Sequence, residues 1–416
     1  MHLVSLIKSR RFAPLFITQF LGAFNDNIYK NTLMLILAFH SADVLGLNTS
    51  LLMNLAAALF ILPFFLFSAL AGQIADKYEK SRLIKYVKFI EILIMLVAAL
   101  CFIQQWYWLL LFLLFCMGAQ SAFFGPLKYA ILPQHLKQDE LLGGNAWIEM
   151  GTFVAILLGT IGAGLIMESH NYLLVVSLSV VVFALLGFIG SLNIPKASAT
   201  NSDLIIHLNP FKASLDIVHK AKRQPQLYTA IIAISWFWFL GAAYLTQFPT
   251  FAKSVLGGDT SLVTLLLACF SIGIGVGSML CDKLTRSKIE PGIVVLGAIG
   301  LSVFGLDFVM AIPIQAHEVV TASAFLANTN HLRFLFDLLM IGVCGGVFIV
   351  PLYAYVQETA HESLRAQMIA LINIMNAWYM VLSAVAGMVF LVVLKVTIAE
   401  FFIFLAILNT LMSVYI

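Results

Sequence analysis

The 416-residue chain is 62% hydrophobic and only 10% charged, with a mean hydropathy of +1.00 and a formal net charge of +3. One soluble core cannot hide that much apolar surface, which excludes a water-soluble globular fold. The small positive balance is dispersed through the chain and reports membrane topology, not nucleic-acid binding.

Apolar runs close to the ~20 residues needed to cross a bilayer recur throughout. They cover residues 12–38, 48–75, 84–104, 107–133, 143–167, 171–193, 226–250, 260–282, 291–313, 332–357, 366–392 and 395–416. They are long and continuous, unlike the short alternating strands of a membrane barrel. An all-α membrane protein with twelve transmembrane helices is therefore predicted. The first run carries no small-residue cleavage site and contains charge, so it is not read as a removable signal peptide.

That first run holds "QFLGAFNDNIYKN" at 19–31, which places Asn25, Asp26, Asn27, Lys30 and Asn31 within two helical turns. At 1.5 Å per residue Asp26 lies roughly 21 Å along the helix, near the bilayer midplane. Asp26 and Lys30 are four apart and share a face. They can cancel each other as an ion pair, or open to grip a zwitterion; the flanking asparagines favour a cavity wall. Between the second and third runs, "GQIADKYEKSR" sets Gly72 and Asp76 on one helical face. Asp76 suits the positive N-terminal end of a neighbouring helix, while Lys77, Lys80 and Arg82 suit carboxylates or lipid headgroups. Together they predict a charge latch that gates one face.

The fourth run aligns Gln120, Phe124 and Lys128 on a polar stripe, and the fifth aligns Asn145, Glu149 and Thr152. Lys128 and Glu149 lie at similar depth, which invites a salt bridge that opens and closes. Gly159, Gly162 and Gly164 allow close helix packing or a hinge; Pro126 and Pro351 free backbone carbonyls and kink their helices. Residues 194–225 are polar, basic and broken by Pro195, Pro210 and Pro225, and read as a linker with an amphipathic helix from Pro210 to Lys222. Beyond it the polar candidates are neutral: Gln247, Tyr353, Gln357, Asn373 and Asn376. Asp307, Arg333 and Asp337 lie nearer the outer side.

The chain is weakly self-similar across the linker. "FLGA" at 20–23 returns at 239–242, "GQIADKYEKSR" matches "SMLCDKLTRSK" at 278–288, pairing Asp76 with Asp282, and "GPLKYAILP" at 125–133 matches "VPLYAYVQE" at 350–358. Two parallel six-helix halves, 1–193 and 226–416, are predicted, joined by 194–225. Lys8, Arg10, Arg11, the cluster Lys77–Lys88, the linker, Lys283, Arg286 and Lys288 face only Lys253, Arg333 and Lys395 on the other side, which places both termini in the cytoplasm. The five cysteines fall at irregular spacing inside apolar runs, and no disulfide or metal framework is implied.

Twelve helices in two halves with G-x-x-x-D-K after the second resemble the major facilitator superfamily. Within it, "QFLGAFNDNIYKN", "FGPLKYAILPQHL" and "GGNAWIEMGTFVAILLGTIGAG" are similar to the lysophospholipid transporter family, in the form found alone or fused to acyltransferase domains. The resemblance implies a monomeric secondary transporter or flippase of the bacterial inner membrane, without a cofactor. It would carry lysophospholipids such as lysophosphatidylethanolamine from the outer to the inner leaflet for reacylation, with an acyltransferase as partner. Asp26 and Lys30 would then meet the headgroup, Lys128 the phosphate, and Glu149 the ammonium or Lys128. Asn27, Gln120, Phe124, Asn145, Gln247, Asn373 and Asn376 complete the expected substrate surface. Gly72, Asp76, Lys77, Lys80, Arg82 and Asp282 form the expected gate. The chain departs from stand-alone members in being neutral near Gln247.

This inventory fits the ligand chemically. Phosphate takes lysine, ammonium takes a carboxylate or aromatic face, and an acyl chain takes apolar wall, which 34 phenylalanines supply. A proton-coupled antiporter of amphipathic cationic drugs is the competing reading, with Asp26 or Glu149 exchanging a proton. An acyltransferase centre is not expected, because "HLKQDE" at 135–140 puts Asp139 four residues after His135, not five. A P-loop and a channel filter are likewise missing from the sequence.

Overall fold

The computed structural model describes residues 2–39, 49–286, 288–313 and 319–415. Its architecture is all-α. The membrane-crossing helices are α1 (Ala13–Phe39), α2 (Thr49–Lys77), α3 (Lys80–Gln104), α4 (Tyr107–Ala130), α5 (Gln138–Met167) and α6 (Tyr172–Leu192). After an interfacial helix, Pro210–Lys222, come α7 (Pro225–Ser254), α8 (Thr260–Leu284), α9 (Pro291–Met310), α10 (Leu332–Thr359), α11 (Arg365–Gly387) and α12 (Ile398–Tyr415). Eleven are long and apolar enough to cross a membrane; α1, at 27 residues, is long enough but is interrupted by its asparagines and charges. The twelve-helix membrane fold predicted from hydropathy is the observed one. The predicted edges at residue 48 and at Ile416 lie outside the described residues.

Several edges move, each for a local reason. α3 begins at Lys80, four residues before the predicted start, because Glu79 caps it by accepting from Ser81 N and Arg82 N. Lys80 and Arg82 are thus helical, and Lys85 and Lys88, already inside the predicted run, lie a further turn into the helix. α5 begins at Gln138, ahead of the predicted 143, with Glu140 accepting from Lys137 N. α4 stops at Ala130, and the short helix Leu132–His135 follows. α11 passes at Gly387 into a π-helical turn, Met388–Val393.

The chain forms two compact units. One contains residues up to Gly144, then 155–227 and 356–377; the other contains 145–154, 228–355 and the residues from 378 onward. In the first, the fully buried Tyr29 donates to Leu110 O at 2.7 Å and packs edge-on against Phe102. α5 lies tightly on α1: a Cβ at Gly159 would come within 2.7 Å of Asn27 Cβ and 2.9 Å of Phe24 O, whereas one at Gly164 meets nothing within 4 Å. The close-packing role predicted for these glycines therefore belongs to Gly159 and Gly162, not Gly164.

α3 is inverted relative to a helix of a soluble protein. It exposes Phe89, Ile90, Leu93, Leu96, Val97, Leu100 and Ile103 at three- and four-residue spacing, while burying Lys88 and Glu91. Such a face is at equilibrium only against hydrocarbon.

In the second unit, Gly273 and Gly277 of α8 oppose Gly342 and Gly346 of α10. A Cβ on Gly273 would lie 2.9 Å from Gly342 Cα, and one on Gly277 2.8 Å from Val343 Cα. This is backbone-to-backbone packing of the small-xxx-small kind. Trp236 Nε1 donates to Asn409 Oδ1 at 2.9 Å, and Asn409 Nδ2 donates to Ala298 O at 2.8 Å, tying α7, α9 and α12 in the buried interior. Replacing a helical glycine by alanine ordinarily stabilises a helix by about 0.5–1 kcal/mol. Gly164→Ala is expected to follow that rule, while Gly277→Ala forces α8 and α10 apart and reverses it. Thermal unfolding midpoints of the two variants in one detergent check the opposite signs.

Candidate functional site

The polar cluster on α1 divides its partners among neighbouring helices of the first unit. Asp26 and Lys30, both half-buried, are not joined as an ion pair. Asp26 Oδ2 accepts from Ser121 Oγ of α4 at 2.8 Å, and its other oxygen is buried without a hydrogen-bond partner among the described residues. Lys30 Nζ lies 5.4 Å from the centroid of the Phe60 ring on α2. A carboxylate and an ammonium one turn apart on one face are thus held by different neighbours.

Beside them sits a charge pair of which the sequence pattern showed only Lys88, as a member of the basic cluster Lys77–Lys88. Lys88 Nζ lies 2.6 Å from Glu91 Oε2, with both side chains 1% exposed. Gln120 Nε2 donates to the same carboxylate oxygen at 2.9 Å, and Asn25 Nδ2 donates to the other at 3.3 Å. The ammonium also stands 4.9 Å from the Phe124 ring, and Gly187 leaves room for it on α6. Glu91 thus receives three donors from three helices, so neither of its oxygens is left without a hydrogen-bond partner in the buried interior. The signal for it in sequence was the i, i+3 spacing of Lys88 and Glu91 within an apolar helix.

The remaining expected substrate residues are placed as follows. Asn27 donates to Ala23 O of its own helix at 2.8 Å. Asn31 donates to Thr160 Oγ1 of α5 at 2.8 Å. Gln120 and Phe124 are both buried. Lys128 is half-buried with its ammonium 4.7 Å from the Tyr129 ring. On α11, Asn376 is buried, and the amide of Asn373 sits against Gly125 of α4, its Nδ2 without a hydrogen-bond partner among the described residues. Asn145 and Glu149 are fully buried and belong to the second unit, as does Gln247, which lies near Gly387.

Of the expected gate residues of the first unit, Gly72 and Asp76 meet the start of α11, whereas Lys77, Lys80 and Arg82 have other surroundings. Asp76 Oδ1 accepts from Ala366 N at 3.0 Å, and Oδ2 accepts from Gln367 N and Gln367 Nε2, each at 3.2 Å. Two donors are free backbone N–H groups of a helix N-terminus, where a negative charge is stabilised. Gly72, one turn earlier, permits the approach: a Cβ there would lie 2.7 Å from Ala370 Cβ and 2.9 Å from Gln367 Cα. Lys80 is buried and donates to Ser198 O and Thr200 Oγ1 of the linker, each at 3.4 Å. Lys77 lies over the Tyr78 ring and Arg82 is exposed. Asp282 is buried near the end of α8 in the second unit.

Glu79 is held in this corner by its donors. Although burial raises its pKa, hydrogen bonds from the Ser81 hydroxyl and from the backbone N–H groups of Ala197, Ser81 and Arg82 outweigh that and hold it below the ordinary 4.5.

Membrane-crossing helices carrying a buried ion pair and a glycine–aspartate helix cap are the frame of a multi-pass membrane protein. The family model of the Major Facilitator Superfamily matches residues 15–384, and the chain belongs to that superfamily. It is 27% identical over 373 residues to the lysophospholipid transporter LplT of Shigella boydii serotype 4 (strain Sb227) and to that of Escherichia coli (strain SE11), an alignment covering 88% of this chain and 84% of each relative. Among solved structures, the human organic anion transporter MFSD10 (TETRAN) superposes with a TM-score of 0.73 at 13% identity, covering 97% of this chain and 99% of that one. The proton:xylose symporter XylE superposes with 0.74 at 12% identity, covering 99% and 95%. These two share the fold.

Two outcomes follow from the corner geometry. Removing the carboxylate in Asp76→Ala leaves the first N–H groups of α11 without their acceptor. A cysteine at Ser68, on the same face of α2 two turns inward, is expected to react severalfold faster with a thiol reagent in that variant than in the parent, native cysteines having been replaced. Second, a depressed folded pKa gives stability that is present above the unfolded value and is lost as pH falls through the folded one. The difference in thermal midpoint between wild type and Glu79→Gln should therefore be open at pH 7 and close as pH falls below 4.5.

Proposed function

We propose that this chain moves lysophospholipids, such as lysophosphatidylethanolamine, from the outer to the inner leaflet of a bacterial cytoplasmic membrane. The observation that carries the reading is the separated acid and base on α1: Asp26 held by Ser121, Lys30 over Phe60, one helical turn apart and unpaired with each other. A zwitterionic headgroup offers an ammonium for the first and a phosphate for the second. The bacterial relatives, lysophospholipid transporters by name, support this substrate class.

On this reading, Asp26 and Lys30 bind the headgroup with Lys128 assisting at the phosphate, and Glu149 meets the ammonium or Lys128. Asn27, Gln120, Phe124, Asn145, Gln247, Asn373 and Asn376 shape the rest of the path. The Lys88–Glu91 pair adds a second acid–base couple that fixes Gln120 and Asn25 beside Asp26. The basic face is cytoplasmic, with both termini on it, and the Gly72–Asp76 contact with α11, together with Lys77, Lys80, Arg82 and Asp282, closes that face while substrate enters from the other. The chain works as a monomer, and an acyltransferase uses the delivered lipid.

The test is transport of labelled lysophosphatidylethanolamine into proteoliposomes, with a cationic dye in parallel. Loss of one charged hydrogen-bond partner removes about 1.5–3 kcal/mol, so Asp26→Asn and Lys30→Ala are each expected to lower lipid transport on the order of 10- to 100-fold. Dye movement without lipid movement would replace this reading with a drug antiporter. Glu91→Gln alone leaves Lys88 buried and uncompensated, at about 3–5 kcal/mol of stability; the pair Lys88→Met with Glu91→Leu recovers stability. Transport that stays low in the recovered pair assigns the couple a functional role beyond folding.

A further inference from the structure

The linker does more than join two groups of helices. It is strapped onto the corner that holds α11. Thr200 N and Asn201 N donate to Asp76 O at 3.0 and 2.9 Å, and Thr200 Oγ1 donates to Asp76 Oδ1 at 3.2 Å, the same oxygen that caps Ala366. Ala197 exchanges backbone contacts with the α3 start: its N donates to Glu79 Oε1 and its O accepts from Lys80 N, both at 2.9 Å. Gln73 pairs with the backbone of His207, accepting from its N at 2.7 Å. Lys220 of the interfacial helix donates to Gln367 Oε1 at 3.3 Å, reaching the side chain that also binds Asp76.

The other side of the strap is apolar and exposed. The helix Pro210–Lys222 buries Ala213, Ile217 and Ala221, at i, i+4 and i+8. It leaves Phe211 74% and Leu215 59% exposed, and the preceding stretch leaves Ile205 75% and Leu208 79% exposed. Four large apolar side chains at such exposure are not stable in water unless something covers them. Exposed Lys212, His219, Lys222 and Arg223 flank them, against a single acid in the helix, Asp216. The segment joins α6 to α7 at the basic end of the membrane-crossing helices. An apolar stripe rimmed by cations, at the mouth of two membrane helices, matches the boundary between acyl chains and anionic headgroups.

We propose that residues 197–223 are an anionic-lipid sensor: acidic phospholipids on the basic side cover Phe211 and Leu215, pair with Lys212, Lys222 and Arg223, and thereby hold the strap that keeps Asp76 on the N-terminus of α11. Each lysine or arginine near an acidic surface contributes about a fivefold preference for it. Removing three cations eliminates most of that preference without touching Asp76, Gln367 or Lys220. The sensor is independent of what is transported, and its test involves no substrate.

The test uses the full-length chain, native cysteines replaced, in nanodiscs of phosphatidylcholine alone or of phosphatidylcholine with phosphatidylglycerol. An environment-sensitive fluorophore on Leu208→Cys reports burial of the strap, and thiol labelling of Ser68→Cys in a separate sample reports opening of the α2–α11 contact. The expected result is a blue-shifted emission and severalfold slower Ser68→Cys labelling in the anionic discs. Both differences should vanish in Lys212→Gln/Lys222→Gln/Arg223→Gln, while Lys212→Arg/Lys222→Arg retains them. Equal emission in the two lipid compositions, or a shift that survives the triple variant, overturns the lipid site. A shift in emission with unchanged labelling at position 68 overturns its link to α11.

Discussion

Hydrocarbon offers a polar group nothing to bond with, so each buried charge in this chain must find its partners inside the chain. α3 shows the rule at its sharpest. Its lipid face is continuous Phe, Ile, Leu and Val, while Lys88 and Glu91 point inward and are bound by Gln120, Asn25 and the Phe124 ring. The pair would be expensive if either member were alone. Its presence therefore fixes the approach of α1, α3 and α4, and so fixes where Asp26 can stand. The positioning of the candidate site is a consequence of satisfying Glu91.

The same rule distinguishes Asp26 from Glu91. Glu91 has its oxygens occupied, whereas Asp26 has one oxygen held by Ser121 and one without a hydrogen-bond partner among the described residues. Lys30 is held by an aromatic face instead of a carboxylate. A group whose bonding is complete scaffolds; a group left incomplete is, on the proposed function, the one a ligand's donor would complete. This difference in satisfaction, not the mere presence of charge, is what makes α1 the candidate surface.

Much of this was legible in the sequence because hydrocarbon makes hydropathy so informative. The twelve runs, the glycine–aspartate spacing of Gly72 and Asp76, and the isolated charges of α1 all stand out against an apolar background. Lys88 and Glu91 did not, because Lys88 follows Lys77, Lys80, Arg82 and Lys85 closely enough to be counted with a basic loop. The error lay in the helix start: once Glu79 caps α3, Lys88 is more than two turns inside it. Asn27 was legible as polar but not as spent on Ala23 O, since back-bonding to the helix leaves no trace in composition. The linker read correctly as polar and amphipathic; that its backbone reaches Asp76 and Gln73 depends on tertiary contacts no local pattern encodes.

Those contacts give one carboxylate two sets of partners. Asp76 has only two oxygens, and in this structure they are divided among Ala366, Gln367 and Thr200. The linker and α11 are therefore bound to the same side chain rather than to separate ones, and Lys220 reinforces the arrangement through Gln367. Withdrawing α11 strips Asp76 of its helix-end donors but leaves it Thr200 and the nearby charge of Lys80, so the opened state is not an uncompensated buried charge. Withdrawing the linker as well would make it one. Because the strap and α11 share one carboxylate, on the lipid-sensor proposal anything that stabilises the strap favours the position of α11 that Asp76 caps.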